Sequence, residues 1–268
     1  MKVSKIKIAF FIITSFLFGS CKKSDVNPSQ QVKALSTEAK ATLEYLVSLG
    51  YQAEALKPNA ELQGFMAGDV VYPYVLATNL EKQPLGPTSE NQWQNRAVSY
   101  ANSRAVTYYI DPGFPSAYVG ALAWAAYYWS ISSPNIRINR TYNRSSADII
   151  CNTYYDPNTG GWAYALFPTG SGNVGNNIRI NTAKPHDQSQ EGKMVLMMHE
   201  IGHTLGFRHS DQGGGILIPG TQGIAYHQSR NCGSLMKSSV FVCGWAYNGV
   251  KRWTNDDRIM IDWAYRYY

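Results

Sequence analysis

The chain has 268 residues, enough for one sizeable domain or a domain with an extension at roughly 100–200 residues per domain. Hydrophobic residues make up 44% and charged residues 16%, a composition that can build a core and excludes an intrinsically disordered chain. The formal charge of +6 drops to +3 once Lys2, Lys5 and Lys7 go with residues 1–20, and no cluster of Lys and Arg interleaves with aromatics, so nothing points to nucleic acid as a partner.

The opening "MKVSKIKIAFFIITSFLFGSC" sets three lysines before an apolar run from Ile8 to Phe18, which is shorter than the roughly 18–20 residues of a membrane span and reads as an export signal. "FGSC" resembles a bacterial lipobox with Phe18 in place of the usual leucine, so Cys21 is expected to carry lipid after removal of residues 1–20. An ordinary secretory signal is the alternative. The chain is thus expected to be exported, and either anchored in the cell envelope or secreted. Residues 22–31, "KKSDVNPSQQ", suit a tether.

"STEAKATLEYLVSLGY" predicts a helix with Leu43, Leu46, Val47 and Leu49 on its apolar side. "GFMAGDVVYPYVLA" predicts a strand pair or a bent strand broken at Pro73, and the Pro/Gly-rich residues 80–92 predict a linker. The expected division is therefore residues 21–95 as a tether and N-terminal region, and 96–268 as the main domain. Beyond the linker, "AVTYYIDPG" is a strand. "PSAYVGALAWAAYYWSI" is a helix with Val119, Leu122, Ala123, Ala126 and Trp129 on one side. "NIRINRT", "ADIICNTY", "GWAYALFP" and "NNIRINT" are strands, "EGKMVLMMHEIGHTLG" a long helix, and "TNDDRIMIDWAYRYY" a closing helix whose Thr254 and Asp257 have capping-box spacing. With Cys21 assigned to lipid, one disulfide can form among the remaining cysteines. Cys232 and Cys243 enclose a turn-rich segment and are the better pair, while Cys151 reads as a buried thiol.

The stretch "MMHEIGHTLGFRHSD" holds three of the five histidines. Residues four apart share a helix face, so His199 and His203 can offer their rings to one ion, and a left-handed exit at Gly206 returns His209 to the same point. Three nitrogen ligands leave a fourth position for water, the open geometry of catalytic Zn2+, with Glu200 beside it as the base. Asp211 is placed to orient a ligand or to cap the turn after His209. His186 and His227 read as surface or hydrogen-bonding residues. Asp111 in "YIDPG" and Asp156 in "YDPNTGG" serve either as turn formers or as ligands of a Ca2+ ion.

"HEIGH" at residues 199–203, continuing to His209, resembles the dual-action HEIGH metallopeptidases, a family of bacterial metzincins, and the chain from about Val106 is also similar to matrixins through "VTYYIDPGFP", "ADIICN" and Ser210. The resemblance covers roughly residues 100–268. It implies an α+β metzincin fold: a twisted mixed β-sheet with an antiparallel edge strand, an active-site helix, a Met-turn at Met236 in "CGSLMKSS", and a C-terminal helix. It implies a zinc endopeptidase acting on protein or peptide substrates, with "NNIRINT" in the position of the strand that pairs with substrate. Ser238 stands where astacins have a ligating tyrosine, and the histidines left over are too few for the second zinc of matrixins. In astacins an aspartate in a Phe-x-Gly-Asp pattern of the pro-segment blocks the zinc. "FMAGD" is similar with one extra residue, so Asp69 is either a latch or a plain turn residue before "VVYPYV". A different class remains open: a zincin fold kept for adhesion with catalysis lost. Glu200 speaks against it, because a structural three-histidine site has no need of that carboxylate.

Overall fold

The computed structural model describes residues 35–48, 51–60, 63–74, 93–94, 98–168, 172–212, 216–229, 233–238 and 253–265. The export signal, Cys21, the linker, Cys232 and Cys243 lie outside the described residues. Residues 35–268 cluster as one unit.

In chain order the elements are helix α1 (Thr37–Ser48), strands β1 (Lys57–Asn59), β2 (Gly64–Ala67), β3 (Val70–Pro73) and β4 (Trp93–Gln94), and the short helix α2 (Tyr100–Ser103). Strand β5 (Val106–Ile110), helix α3 (Ser116–Ser132), and strands β6 (Ile138–Arg140), β7 (Ile149–Tyr154), β8 (Ala163–Leu166) and β9 (Asn177–Asn181) follow. Helix α4 (Gln190–Thr204), strand β10 (Ile216–Leu217), and helices α5 (Ile224–Ser229) and α6 (Asn255–Tyr265) complete the chain. Eight strands form one mixed sheet in the order β1-β2-β3-β8-β9-β7-β5-β6, and β10 pairs separately with β4.

The long apolar strands give the sheet its centre, where β7 runs parallel to both β5 and β9. Helices α3 and α4 pack on each other, and Trp129 ties them by donating its indole N–H to the Met198 carbonyl at 2.8 Å. The buried face of α3 is Tyr118, Ala121, Leu122, Ala125, Ala126, Tyr128 and Trp129. Ala123, expected inside, is exposed, because the buried stripe runs through Tyr118, Leu122, Ala125 and Trp129 and leaves it on the outer side. Thr254 and Asp257 form the predicted capping box, each side chain accepting from the other's backbone N–H at 2.9 and 3.1 Å.

In the N-terminal region one expectation shifts and one pair of alternatives is decided in favour of the strand pair. Helix α1 buries Ala39, Thr42 and Leu46, while Val47 is 44% exposed, so the contacting stripe lies a step round from the predicted one. The "GFMAGDVVYP" segment is a hairpin, β2 and β3 joined by the two-residue turn Gly68–Asp69 with Gly68 at φ 67. Its second strand runs parallel to β8 through Val70↔Ala165 and Val71↔Leu166. Strand β9, expected to offer the substrate edge, is interior between β7 and β8. Within the region after residue 96 the edge facing the site is β8, the antiparallel strand, and β3 occupies it. A second core of Leu46, Leu56, Phe65, Val70, Tyr72 and Phe167 holds this arrangement.

Candidate active site

Helix α4 is buried on all sides from Lys193 to Thr204, unusual for a helix that carries two histidines and a glutamate. Ser189 caps its start by accepting the Gly192 N–H at 3.1 Å. Its end is a Schellman motif: the Phe207 N–H reaches the Gly202 carbonyl at 3.0 Å, the Gly206 N–H reaches the His203 carbonyl at 2.9 Å, and Gly206 has φ 99. That reversal brings His209 back beside the helix. The Nε2 atoms of His199, His203 and His209 lie 3.0 to 3.2 Å apart.

The outer nitrogens fix the proton positions. His199 Nδ1 faces the Leu235 carbonyl at 2.8 Å, His203 Nδ1 the Phe207 carbonyl at 2.7 Å, and His209 Nδ1 the Gln212 Oε1 at 3.1 Å. A carbonyl only accepts, so Nδ1 carries the proton and Nε2 of the neutral ring presents a lone pair. Three such lone pairs converging on one point repel unless a cation sits among them, and imidazole nitrogens with outer hydrogen bonds are the donor set of zinc. The donors therefore fit Zn2+. Gln212 takes the ligand-orienting role that was one of the two alternatives for Asp211; the Asp211 carboxylate accepts the Ser238 N–H at 3.0 Å and its hydroxyl at 2.6 Å, fastening the turn after His209 to the turn of Met236.

Glu200 is fully buried, and neither of its oxygens has a hydrogen-bond partner among the described residues. Burial, with Asp69 adding repulsion, holds its carboxyl well above the usual range. An orphaned carboxylate of this kind has a use only toward something that enters the site.

The fourth member of the cluster is Asp69, from the tip of the β2–β3 hairpin. Its Oδ1 is 2.8 Å from His209 Nε2 and 3.6 Å from His203 Nε2, and its Oδ2 is 3.4 Å from His199 Nε2. With no metal among the rings, burial works against its ionisation, but a proton held on the neighbouring His209 ring outweighs it and keeps the carboxyl well below the usual range. Burial and neighbouring His199 lower His203 to about 4; for His209 the effect of Asp69 overcomes burial and the ring is raised. Asp69 is a turn residue, and the turn brings its carboxylate beside the three histidines.

Met236 is fully buried in a turn beneath α4, with its N–H on Ser234 Oγ at 3.0 Å and its carbonyl accepting from the Ser210 N–H at 2.8 Å. The buried Asp257 carboxylate accepts from Ser234 Oγ at 2.7 Å and from the Leu235 N–H at 3.0 Å, so the cap of α6 also positions the carbonyl that orients His199. The Met236 side chain rises against Gly202, where an added Cβ would stand 2.4 Å from the sulfur and 3.3 Å from Trp129. We expect Gly202→Ala to displace the turn and lower zinc occupancy, because Trp129 and Met236 are both locked in the core. Met236→Leu, which keeps the volume, should retain zinc stoichiometry with activity reduced but measurable. Metal analysis and a peptide assay on both variants check this pair; full zinc and full activity in Gly202→Ala would refute the packing argument.

The remaining sequence candidates are engaged elsewhere. His186 Nδ1 is 3.1 Å from the Tyr118 hydroxyl, and the buried His227 pairs with Asp256 at 3.2 Å. Asp111 pairs with Arg144 at 2.8 Å, and Asp156 accepts the Asn158 N–H at 2.8 Å in a turn. Cys151 is a buried free thiol, as predicted, and burial pushes its pKa up. A cleft of about 590 Å³ opens beside Glu200 and His209, lined also by Pro58, Met66, Gly161, Trp162 and Ser238.

Residues 78–265 match the model of a family described as the dual-action HEIGH metallo-peptidases. No curated protein matches the chain. Among solved structures, that of myroilysin aligns with 20% identity over 40% of this chain and 43% of that one, with a TM-score of 0.31. The high choriolytic enzyme 1 of Oryzias latipes, a hatching-enzyme zinc protease from the medaka fish, aligns with 18% identity over 44% of this chain and 50% of that one, with a TM-score of 0.28. The chain thus spans half or less of each.

Proposed function

Because the chain belongs to the dual-action HEIGH metallopeptidase family, we propose that it is a zinc-dependent endopeptidase of metzincin type, kept latent by Asp69 until its N-terminal region is removed. The observation that carries the reading is the convergence of three imidazole lone pairs beside the orphaned carboxyl of Glu200. His199, His203 and His209 would hold a zinc ion, which when bound would supply Lewis acidity toward the scissile carbonyl and a water nucleophile near neutral pH. Glu200 takes a proton from the attacking water and hands it to the leaving amine nitrogen. Asp257 and Gln212 keep the rings aimed, and the buried helix excludes bulk solvent from the Glu200 side.

Asp69 in the described state fills the position that water and substrate need, which supports the latch over the plain turn. The adhesion-module alternative lacks a role for Glu200. Residues 1–21 support export and a lipid anchor at Cys21, which would leave residues 22–95 between membrane and catalytic region. The substrates are proteins or peptides.

The test is hydrolysis of a mixed protein substrate by the zinc-loaded chain after limited proteolysis. Cleavage should disappear with a chelator and return with added zinc. A processed, zinc-loaded protein that cuts nothing would leave the adhesion reading standing.

A further inference from the structure

Helix α3 packs one side into the core and leaves the other bare. Its outward positions include Gly120, Ala123, Trp124, Tyr127 and Ile131, and the helix carries no charged residue at any position. Trp124, Tyr127 and Ile131 are 56%, 50% and 58% exposed, three large apolar side chains in a row on one face at helical spacing. Such a row differs from the scattered single hydrophobics of an ordinary surface. The rings are also held in place: Trp124 stacks on the Tyr128 ring at 5.9 Å and meets Tyr127 edge-on at 5.8 Å.

Cations border the row. Arg137 donates from Nη1 to the Ser130 and Ser133 carbonyls at 2.7 and 3.0 Å, which pins an exposed arginine at the helix end that carries Ile131. The Arg137 N–H bonds the Ser103 carbonyl at 2.9 Å, so Arg104 sits at the same end, its guanidinium over the ring of the exposed Tyr100 at 5.2 Å. On the edge strand β6, Ile138 packs into the core with α3. Arg140, two residues on and therefore on the same face, is exposed, with its guanidinium over the Tyr142 ring at 4.8 Å. None of the three arginines pairs with a carboxylate among the described residues.

Rings with an apolar body and a polar tip, set among arginines, match the boundary between acyl chains and anionic headgroups, where Trp and Tyr gather and each nearby cation adds attraction. We propose that the outer face of α3, with Arg104, Arg137 and Arg140, rests on an anionic lipid bilayer. No described helix is long and apolar enough to cross one, so the contact lies along the surface. A second copy of the chain docking by the same face would bring arginines toward arginines, which opposes it. From Cys21 to Leu35 the chain can reach about 50 Å at roughly 3.3–3.6 Å per residue, comparable to the width of a domain of this size, so a lipid on Cys21 leaves the choice of face open. The inference rests on the reading that Cys21 brings the chain to a membrane, and it adds the face that holds the catalytic region there once residues 22–95 are gone.

The experiment uses residues 22–268, the chain without signal or lipid, which keeps the whole unit 35–268. It should sediment with vesicles of phosphatidylethanolamine and phosphatidylglycerol and bind phosphatidylcholine vesicles about tenfold more weakly, and added salt should weaken the anionic binding. Trp124→Ala combined with Tyr127→Ala should weaken binding to both vesicles by about tenfold or more, whereas Arg140→Gln should weaken it several-fold on the anionic vesicles alone. The altered side chains are exposed, and thermal melting checks the fold. Should the double variant fail to fold, fluorescence decides: brominated acyl chains should quench the wild type, and Trp124→Phe should lose most of that quenching. Binding to neither vesicle, or equal binding by wild type and double variant, overturns the proposal. A dimer in solution that the double substitution dissolves overturns it too, because the occupant is then a second copy. Mass spectrometry of Cys21 in the exported chain tests the anchor by itself, so its failure is distinct from failure of the face.

Discussion

Glu200→Gln, assayed after proteolytic removal of the N-terminal region, is expected to bind zinc with unchanged stoichiometry and to hydrolyse peptides about 10²–10⁴-fold more slowly, the range general acid–base catalysis contributes. The two halves of the result come from different atoms. His199, His203 and His209 would hold the ion through Nε2 and are aimed by Leu235, Phe207 and Gln212, none of which hydrogen-bonds the Glu200 carboxyl. The amide is nearly isosteric and enters a site where the carboxyl made no hydrogen bond among the described residues, so packing gives no reason for the fold to suffer. An amide cannot accept the water's proton. Zinc content by elemental analysis and initial rates on a quenched peptide separate the two effects; a zinc-loaded Glu200→Gln protein with full activity would remove Glu200 as the base.

Asp69→Ala in the unprocessed chain is expected to raise activity on short peptides clearly above the latent wild type, yet to leave it below the processed enzyme. The carboxylate at 2.8 Å from His209 would be gone, opening the metal to water. The hairpin would stay. Leu46, Phe65 and Tyr72 are buried in the second core, and fully buried large side chains contribute roughly 1.5–3 kcal/mol each, so removing one carboxylate does not detach β3 from β8. Rates for Asp69→Ala, wild type and the processed chain, measured on a short and a long peptide, give the partition. If Asp69→Ala stays as inactive as wild type while proteolysis activates both, occupation of the β8 edge is the whole of the inhibition. If Asp69→Ala equals the processed enzyme on both peptides, the strand contributes nothing.

The site was legible in the sequence where its geometry is local. Four-residue spacing on a helix aligns His199 and His203, and a glycine that can take positive φ at position 206 returns the chain to deliver His209; both follow from backbone stereochemistry within eleven residues. The capping box of Thr254 and Asp257 is local in the same sense. The turn of Met236 was legible only by resemblance, since nothing in "SLMKS" says that its sulfur meets Gly202.

Tertiary structure alone decided the rest, because each remaining feature depends on which distant segments pair. A strand's alternation tells which side chains face inward but carries no record of its neighbours, so nothing in "NNIRINT", expected by resemblance to be the edge, shows that β9 lies between β7 and β8. Gln212, and not Asp211, meets His209 because the turn after it directs the Asp211 carboxylate toward Ser238, a contact spanning 27 positions in sequence. Asp257 reads in sequence as a helix cap and acts in the fold also as the support of Leu235, since the buried N–H groups of the Met236 turn need an acceptor and α6 brings one. The sequence of "FMAGD" allowed a turn or a latch. It is the parallel pairing of β3 with β8, fixed by a core of side chains drawn from both regions, that carries the turn's carboxylate to the three histidines.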